Sequence, residues 1–442
     1  MNNAISRDFG FFSLLRFAFP TVVMMIFMSL YTIVDGVFVA RFVGTDALSS
    51  VNLVYPVISV VVALAVMFGT GGSAVVARQM GEGSHREAKE SFTTIVLTAV
   101  GCGVAVSVLG LLFLEPLVRL LGAEGALVPL CKDYLRILLL FAPASVLQML
   151  YQCFFVTAGK PGLGLGLTVG AGLANMVLDY VFIVPLNLGI SGAALATAAG
   201  YLLPAVTGTV FFFGKRHALS FVRPRMRGRM LLESCTNGSS EMVTNLSGSV
   251  VTLLFNLSMM RLVGPDGVAS ITIVLYAQFL MTALFMGYSM GVAPVVSFNY
   301  GCGNRERLKK VYRISLITVI TCSFLVFLTA LLTAPPLAAL FAAGNQAVDE
   351  LAKQGLRLFA VSFLFAGLNI FASALFTALS NGKISAAISF LRTFVFIISG
   401  ILLLPLALGV NGIWLAVPAA EVLTMIFSLV FLRKGRQRYG YA

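Results

Sequence analysis

Long apolar runs, interrupted by short clusters of charge, glycine and proline, divide the 442-residue chain into twelve segments. They fall near 11–40, 51–76, 92–114, 134–157, 163–186, 190–213, 236–260, 271–297, 312–333, 355–380, 384–407 and 410–432. About 20 apolar residues suffice for a helix to cross the hydrocarbon core. The runs are continuous rather than alternating, so they predict helices and not the strands of a barrel. The expected fold is an all-α polytopic membrane protein with twelve transmembrane helices.

The segments form two sets. Arg41, Val43, Gly44, Asp46, Gly71, Gly81 and Gly83 return 220 residues later as Arg261, Val263, Gly264, Asp266, Gly291, Gly301 and Gly303. Pro185, Gly189 and Gly192 return at the same offset as Pro405, Gly409 and Gly412. Each half holds an even number of spans, so both enter from the same side. That makes them parallel repeats related by a pseudo-two-fold along the membrane normal. The expected organisation is a six-helix bundle over 1–213, a linker over 214–235 and a second six-helix bundle over 236–442. The basic linker reads as a solvated cytoplasmic connection.

Composition agrees with the pattern. Apolar residues make up 59% of the chain and charged residues 11%, against roughly 25% charged in soluble domains. A soluble enzyme, a disordered chain and a fibrous repeat are excluded. The net charge of +13 would suggest nucleic acid if it formed one patch. With the N-terminus inside, however, 22 of the 30 Lys and Arg fall on the inner side and seven on the outer, with Arg392 alone deep within a span. This positive-inside bias predicts a cell-membrane protein with both termini cytoplasmic and no nucleic-acid partner. The first apolar run is too long for a signal-peptide core and contains Asp35, so it is expected to stay attached. Six scattered cysteines without a CxxC, and His85 and His217 in loops, suggest neither a metal centre nor catalysis. No nucleophile–base arrangement is visible, so an enzyme is not expected.

Acids inside spans need a reason, since one at mid-membrane costs at least ~2.5 kcal/mol on insertion scales. Asp35, Asp179 and Glu241 stand out. By helical rise, Asp35 lies roughly 9 Å, Asp179 roughly 12 Å and Thr197 roughly 10 Å below the outer surface. Asn175 shares a helix face with Asp179, one turn away. Two carboxylates, an amide and a hydroxyl in one slab suit a small hard cation such as Na⁺, and two close acids equally suit a proton. The alternative is separate acids held for packing. At the repeat offset Asp35, Asn175, Asp179 and Thr197 meet Phe255, Val395, Ser399 and Val417, so the cluster belongs to the first half alone. Glu241 lies toward the inner side. It either binds a cationic substrate or is a partly hydrated residue near a helix entrance. Pro20 and Pro294 sit where proline bends helices.

The chain resembles the multidrug and toxic compound extrusion (MATE) transporters. The resemblance rests on the twelve spans, the parallel repeat, Pro20 and Asp35 in the first span, Asn175-x-x-x-Asp179, and the stretch Tyr31–Pro56. It covers nearly the whole chain. It implies antiport by alternating access: Na⁺ or H⁺ enters while an organic, often cationic or amphipathic, compound leaves. No cofactor is implied beyond the coupling ion, and the chain is expected to act as a monomer in the bilayer. Carried over, the family's cation site falls on Asp35, Asn175, Asp179 and Thr197, with the backbone carbonyl of Ala193 as a further ligand. The helix-bending proline is Pro20, and Glu241 and Asn369 are the substrate-binding candidates. Asn369 stands where some members carry Asp, which puts a second ion site in doubt. A lipid or glycan-lipid flippase of a related superfamily is the alternative; those usually have fourteen spans and strongly basic cavities.

Overall fold

The computed structural model describes residues 4–214, 217–342 and 344–441. The first half contains α1 (Phe11–Phe42), α2 (Thr45–Gly81), α3 (His85–Leu112), the short α4 (Leu114–Leu120), α5 (Leu127–Leu140), α6 (Ala142–Thr157), α7 (Pro161–Ile183) and α8 (Gly189–Phe213). The second contains α9 (Gly228–Leu262), α10 (Pro265–Gly301), α11 (Arg305–Phe341), α12 (Gln346–Ala360), α13 (Phe363–Ala378), α14 (Gly382–Phe390), α15 (Ile398–Leu408) and α16 (Val410–Tyr439). A π-helical stretch, Leu391–Ile397, joins α14 to α15. No strand occurs among the described residues.

Ten of these helical spans are long and apolar enough to cross a membrane. Two bent pairs, α5 with α6 at 55° and α12 with α13 at 52°, bring the number to twelve if each pair is one span. The fourth and tenth spans, expected from the sequence to be unbroken, are thus bent. Their leading helices instead carry charge on one face: Lys132 pairs with Glu115 at 3.0 Å and Lys353 with Asp349 at 2.5 Å. A helix with a wet face turns at the apolar boundary rather than running straight through.

The linker also departs from expectation. Its residues 215 and 216 lie outside the described residues, and α9 takes up the stretch from Gly228 onward. The stretch between is strapped to the bundle rather than solvated. Leu219 is fully buried, Phe221 packs on Phe92, the Val222 amide donates to Thr93 Oγ1 at 3.1 Å, and Arg227 ion-pairs with Glu87.

The repeated glycines have two uses. Gly44 and Gly264 turn the chain between α1 and α2 and between α9 and α10, with φ of 121° and 93°, a region that a side chain disfavours. Gly71 and Gly81 of α2, and Gly291 and Gly301 of α10, bring backbones of the two halves together. Gly71 meets Ser234 and Gly238, while Gly291 meets Ala18 and Thr21. Gly81 meets Phe298 and Cys302, while Gly301 meets Arg78. The contacts of Gly71 with Gly238 and of Gly291 with Ala18 exchange under the 220-residue offset, as do those of Gly81 with Phe298 and of Gly301 with Arg78. Arg78 also ion-pairs with Glu233 and donates to Ser380 Oγ at 2.8 Å.

Candidate functional site

Small residues set how the first-half helices meet. Gly172 of α7 lets Phe27 of α1 close in, and Gly200 of α8 lies against Asn175. Gly192 of α8 rests on the backbone of Phe182 in α7. This antiparallel register sets Thr197 opposite the Asn175–Asp179 face. One turn apart on one face, those two residues then point at α1 and α8 together.

The carboxyl groups of Asp35 and Asp179 meet at hydrogen-bonding range. Asn175 and Asp179 are only 2% and 1% exposed. Asp35 Oδ1, Asp179 Oδ1 and both amide atoms of Asn175 are buried without a protein hydrogen-bond partner. Unmatched buried polar atoms are rare in native proteins, and their clustering marks a place built for something else. Thr197 Oγ1 donates to the Ala193 carbonyl at 3.0 Å, leaving lone pairs free on both oxygens. Two acidic and several neutral oxygens suit a small monovalent cation or a proton. Among the described residues, no group of three or more His, Cys, Asp or Glu is placed to hold a metal.

Tyr31, Tyr134 and Tyr201 stand close enough to Asp35 to feel its charge. They were not among the candidates read from sequence. Tyr201 is one turn beyond Thr197, and that spacing was the available signal. Pro20 lies within a continuous α1.

Glu241 lies roughly three to four turns into α9, well past the helix entrance, because α9 begins as early as Gly228. Its charge reaches Arg392 on one side and Cys153 of α6 on the other. Among the described residues, Glu241 accepts a hydrogen bond from Asn245 through its backbone carbonyl and none through its carboxylate.

Asn369 is placed differently from a substrate contact. It is 1% exposed, and the protein engages both ends of its amide. Nδ2 donates to the Glu421 carbonyl (2.9 Å) and Oε2 (2.8 Å), and Oδ1 accepts from Ser428 (2.9 Å). Glu421 Oε1 in turn accepts from Arg392 Nε at 2.8 Å and Nη2 at 2.5 Å. The second half thus has a polar cluster of its own, made from different positions. The signal for the missed Glu421 was an acid in the last span with an arginine in the span before it.

A family model, MatE, matches residues 20–181 and again 242–402. The chain belongs to the MatE family. The multidrug export protein MepA of Staphylococcus saprophyticus is 22% identical over 91% of this chain and 88% of its own length. MepA of Staphylococcus aureus strain MRSA252 is 24% identical over 97% and 94%. Among solved structures, an outward-facing multidrug resistance MATE transporter superposes with a TM-score of 0.90 at 24% identity, covering 99% of this chain and 96% of that one. A MATE transporter in complex with MaL6 gives 0.89 at 24% identity over 96% and 95%. This MatE protein is therefore a multi-pass membrane transporter of the multidrug exporter family, with that family's fold, and not an enzyme.

Proposed function

We propose that this chain is a secondary antiporter that exports organic, often cationic or amphipathic, compounds against inward Na⁺ or H⁺, with both termini cytoplasmic. The observation that carries the reading is the facing pair Asp35–Asp179 with its unmatched oxygens. Without an ion, the two acids repel in a medium of low dielectric. A cation or proton entering from outside relieves that repulsion, so the ion binds most tightly to the arrangement that brings the acids together. A ligand shifts a two-state equilibrium by its differential affinity. One charge moving inward adds up to ~2.3 kcal/mol per 100 mV of potential.

Two six-helix bundles over 1–213 and 236–442 rock about the seam of α1, α2, α9 and α10, the reading favoured by the exchanged glycine contacts. Glu241, facing both halves, offers its unpaired carboxylate to a cationic substrate. Asn175, Thr197 and the Ala193 carbonyl complete the ion's oxygen shell. The test is dye efflux from vesicles with Na⁺ and pH gradients imposed separately. Efflux that follows neither gradient ends the proposal.

A further inference from the structure

The second half places a positive charge where the first half has none. Arg392 stands at the repeat position of Gly172, and Glu421 at that of Tyr201. Of the first-half positions, Tyr201 stands close to Asp35; the two second-half positions make a buried ion pair. Arg392 sits in the π-helical stretch, an irregularity frequent at functional sites. Its Nε and Nη2 hold Glu421, whose other oxygen is held by Asn369. Glu421 is 1% exposed, and Arg392 also lies near Glu241.

We propose that Arg392 is the second half's built-in cation: by holding Glu421 it silences this half toward coupling ions and leaves Glu241 as the single acid open to a cationic substrate. The proposal rests on Asp35–Asp179 being the coupling-ion site. In that pair the cation arrives from solution, while here it is covalently attached and permanently charged. The charged groups facing Glu421 are Arg392 from the π-helical stretch and, beyond it, Glu241 from α9. On α12, Asp349 pairs with Lys353, and Glu350 and Arg357 are exposed. Neither α13 nor α15 carries a titratable side chain, and α14 carries Lys383 at its N-terminal end.

The chain has one tryptophan, Trp414, fully buried on α16 and two turns before Glu421 on the same face. Its fluorescence therefore reports on this site without any transport assay. The purified full-length chain in nanodiscs, carrying Asp35→Asn and Asp179→Asn to quiet the first half, is titrated with Na⁺ and with protons. Trp414 emission should stay flat in that background and with Arg392→Lys added. Adding Arg392→Met should create a titration that Glu421→Gln then removes. A flat response in folded Arg392→Met, or a Glu421-dependent response before Arg392 is changed, overturns the proposal. Should Arg392→Met fail to fold, Glu421→Gln in the native sequence serves instead. There the freed guanidinium competes for Glu241, and tetraphenylphosphonium should bind about tenfold more weakly, with recovery in Arg392→Met/Glu421→Gln. Unchanged binding in Glu421→Gln overturns it equally. Failure of the antiport reading would show instead as efflux indifferent to Asp35 and Asp179.

Discussion

The two halves share a scaffold and differ in how they treat buried charge. In the first, Asp35 and Asp179 face each other, and no lysine or arginine pairs with them among the described residues. In the second, Glu421 meets Arg392 and accepts from Asn369, whose own amide oxygen accepts from Ser428. Like charges in low dielectric are poised and respond to any cation that reaches them. Opposite charges with satisfied hydrogen bonds are settled and respond to little. The turns and glycine contacts recur in both halves, while the buried charges do not; on our proposal that makes one half responsive and the other silent.

The largest expected effect lies in the responsive pair. Asp35→Asn and Asp179→Asn should each abolish gradient-driven efflux while leaving membrane insertion intact. The double variant should be no worse than either single, since residues acting as a unit are non-additive. Near-normal ion-dependent transport by either would break the comparison. Stability should move in opposite directions in the two halves. Removing one partner of a buried ion pair costs about 3–5 kcal/mol, so Arg392→Met should lower the melting temperature. Asp179→Asn removes a repulsion and should raise it in ion-free buffer. A thermal-shift assay checks both signs.

Glu241→Gln should come next. Losing a charged partner removes about 1.5–3 kcal/mol, roughly tenfold or more in affinity, from cationic dyes but not from neutral drugs. Equal losses for all substrates would make Glu241 structural. The smallest effect lies at the water-exposed surface, where Asp8 pairs with Lys310 at 2.9 Å. The hydrogen bond from Lys310 holds the Asp8 carboxyl below its ordinary 3.8. The contact's contribution is therefore complete above that pH and lost as pH falls through the lower folded value. Asp8→Asn should alter acid stability only in that window, and efflux not at all.

The sequence made the periodic features plain. Apolar run length located the spans, and the offset of 220 located the turns and seam glycines. Asp35 and Asp179 were legible because each is an acid in an apolar run, and helical rise put them at one depth. The breaks at Phe141 and Val361–Ser362 were not, since an amphipathic helix joined to an apolar one reads as a single run. Neither was the Arg392–Glu421 pair, because depth alone does not show which faces of two spans meet. For Asn369 the residue type invited a substrate role, and only packing shows that its amide is consumed by Glu421 and Ser428.

The seam between Gly81 and Gly301 also bears on wetting. Backbone lies against backbone there, and the neighbouring side-chain contact is the Arg78–Glu233 ion pair. Parting such surfaces hands water peptide groups and charges, which it solvates readily. A leucine-lined closure would instead uncover hydrocarbon, at about 25 cal/mol for every Å². A door faced with glycine closes tightly because nothing protrudes at these two points. On the alternating-access reading proposed above, this is the contact that forms and dissolves once in every transport cycle.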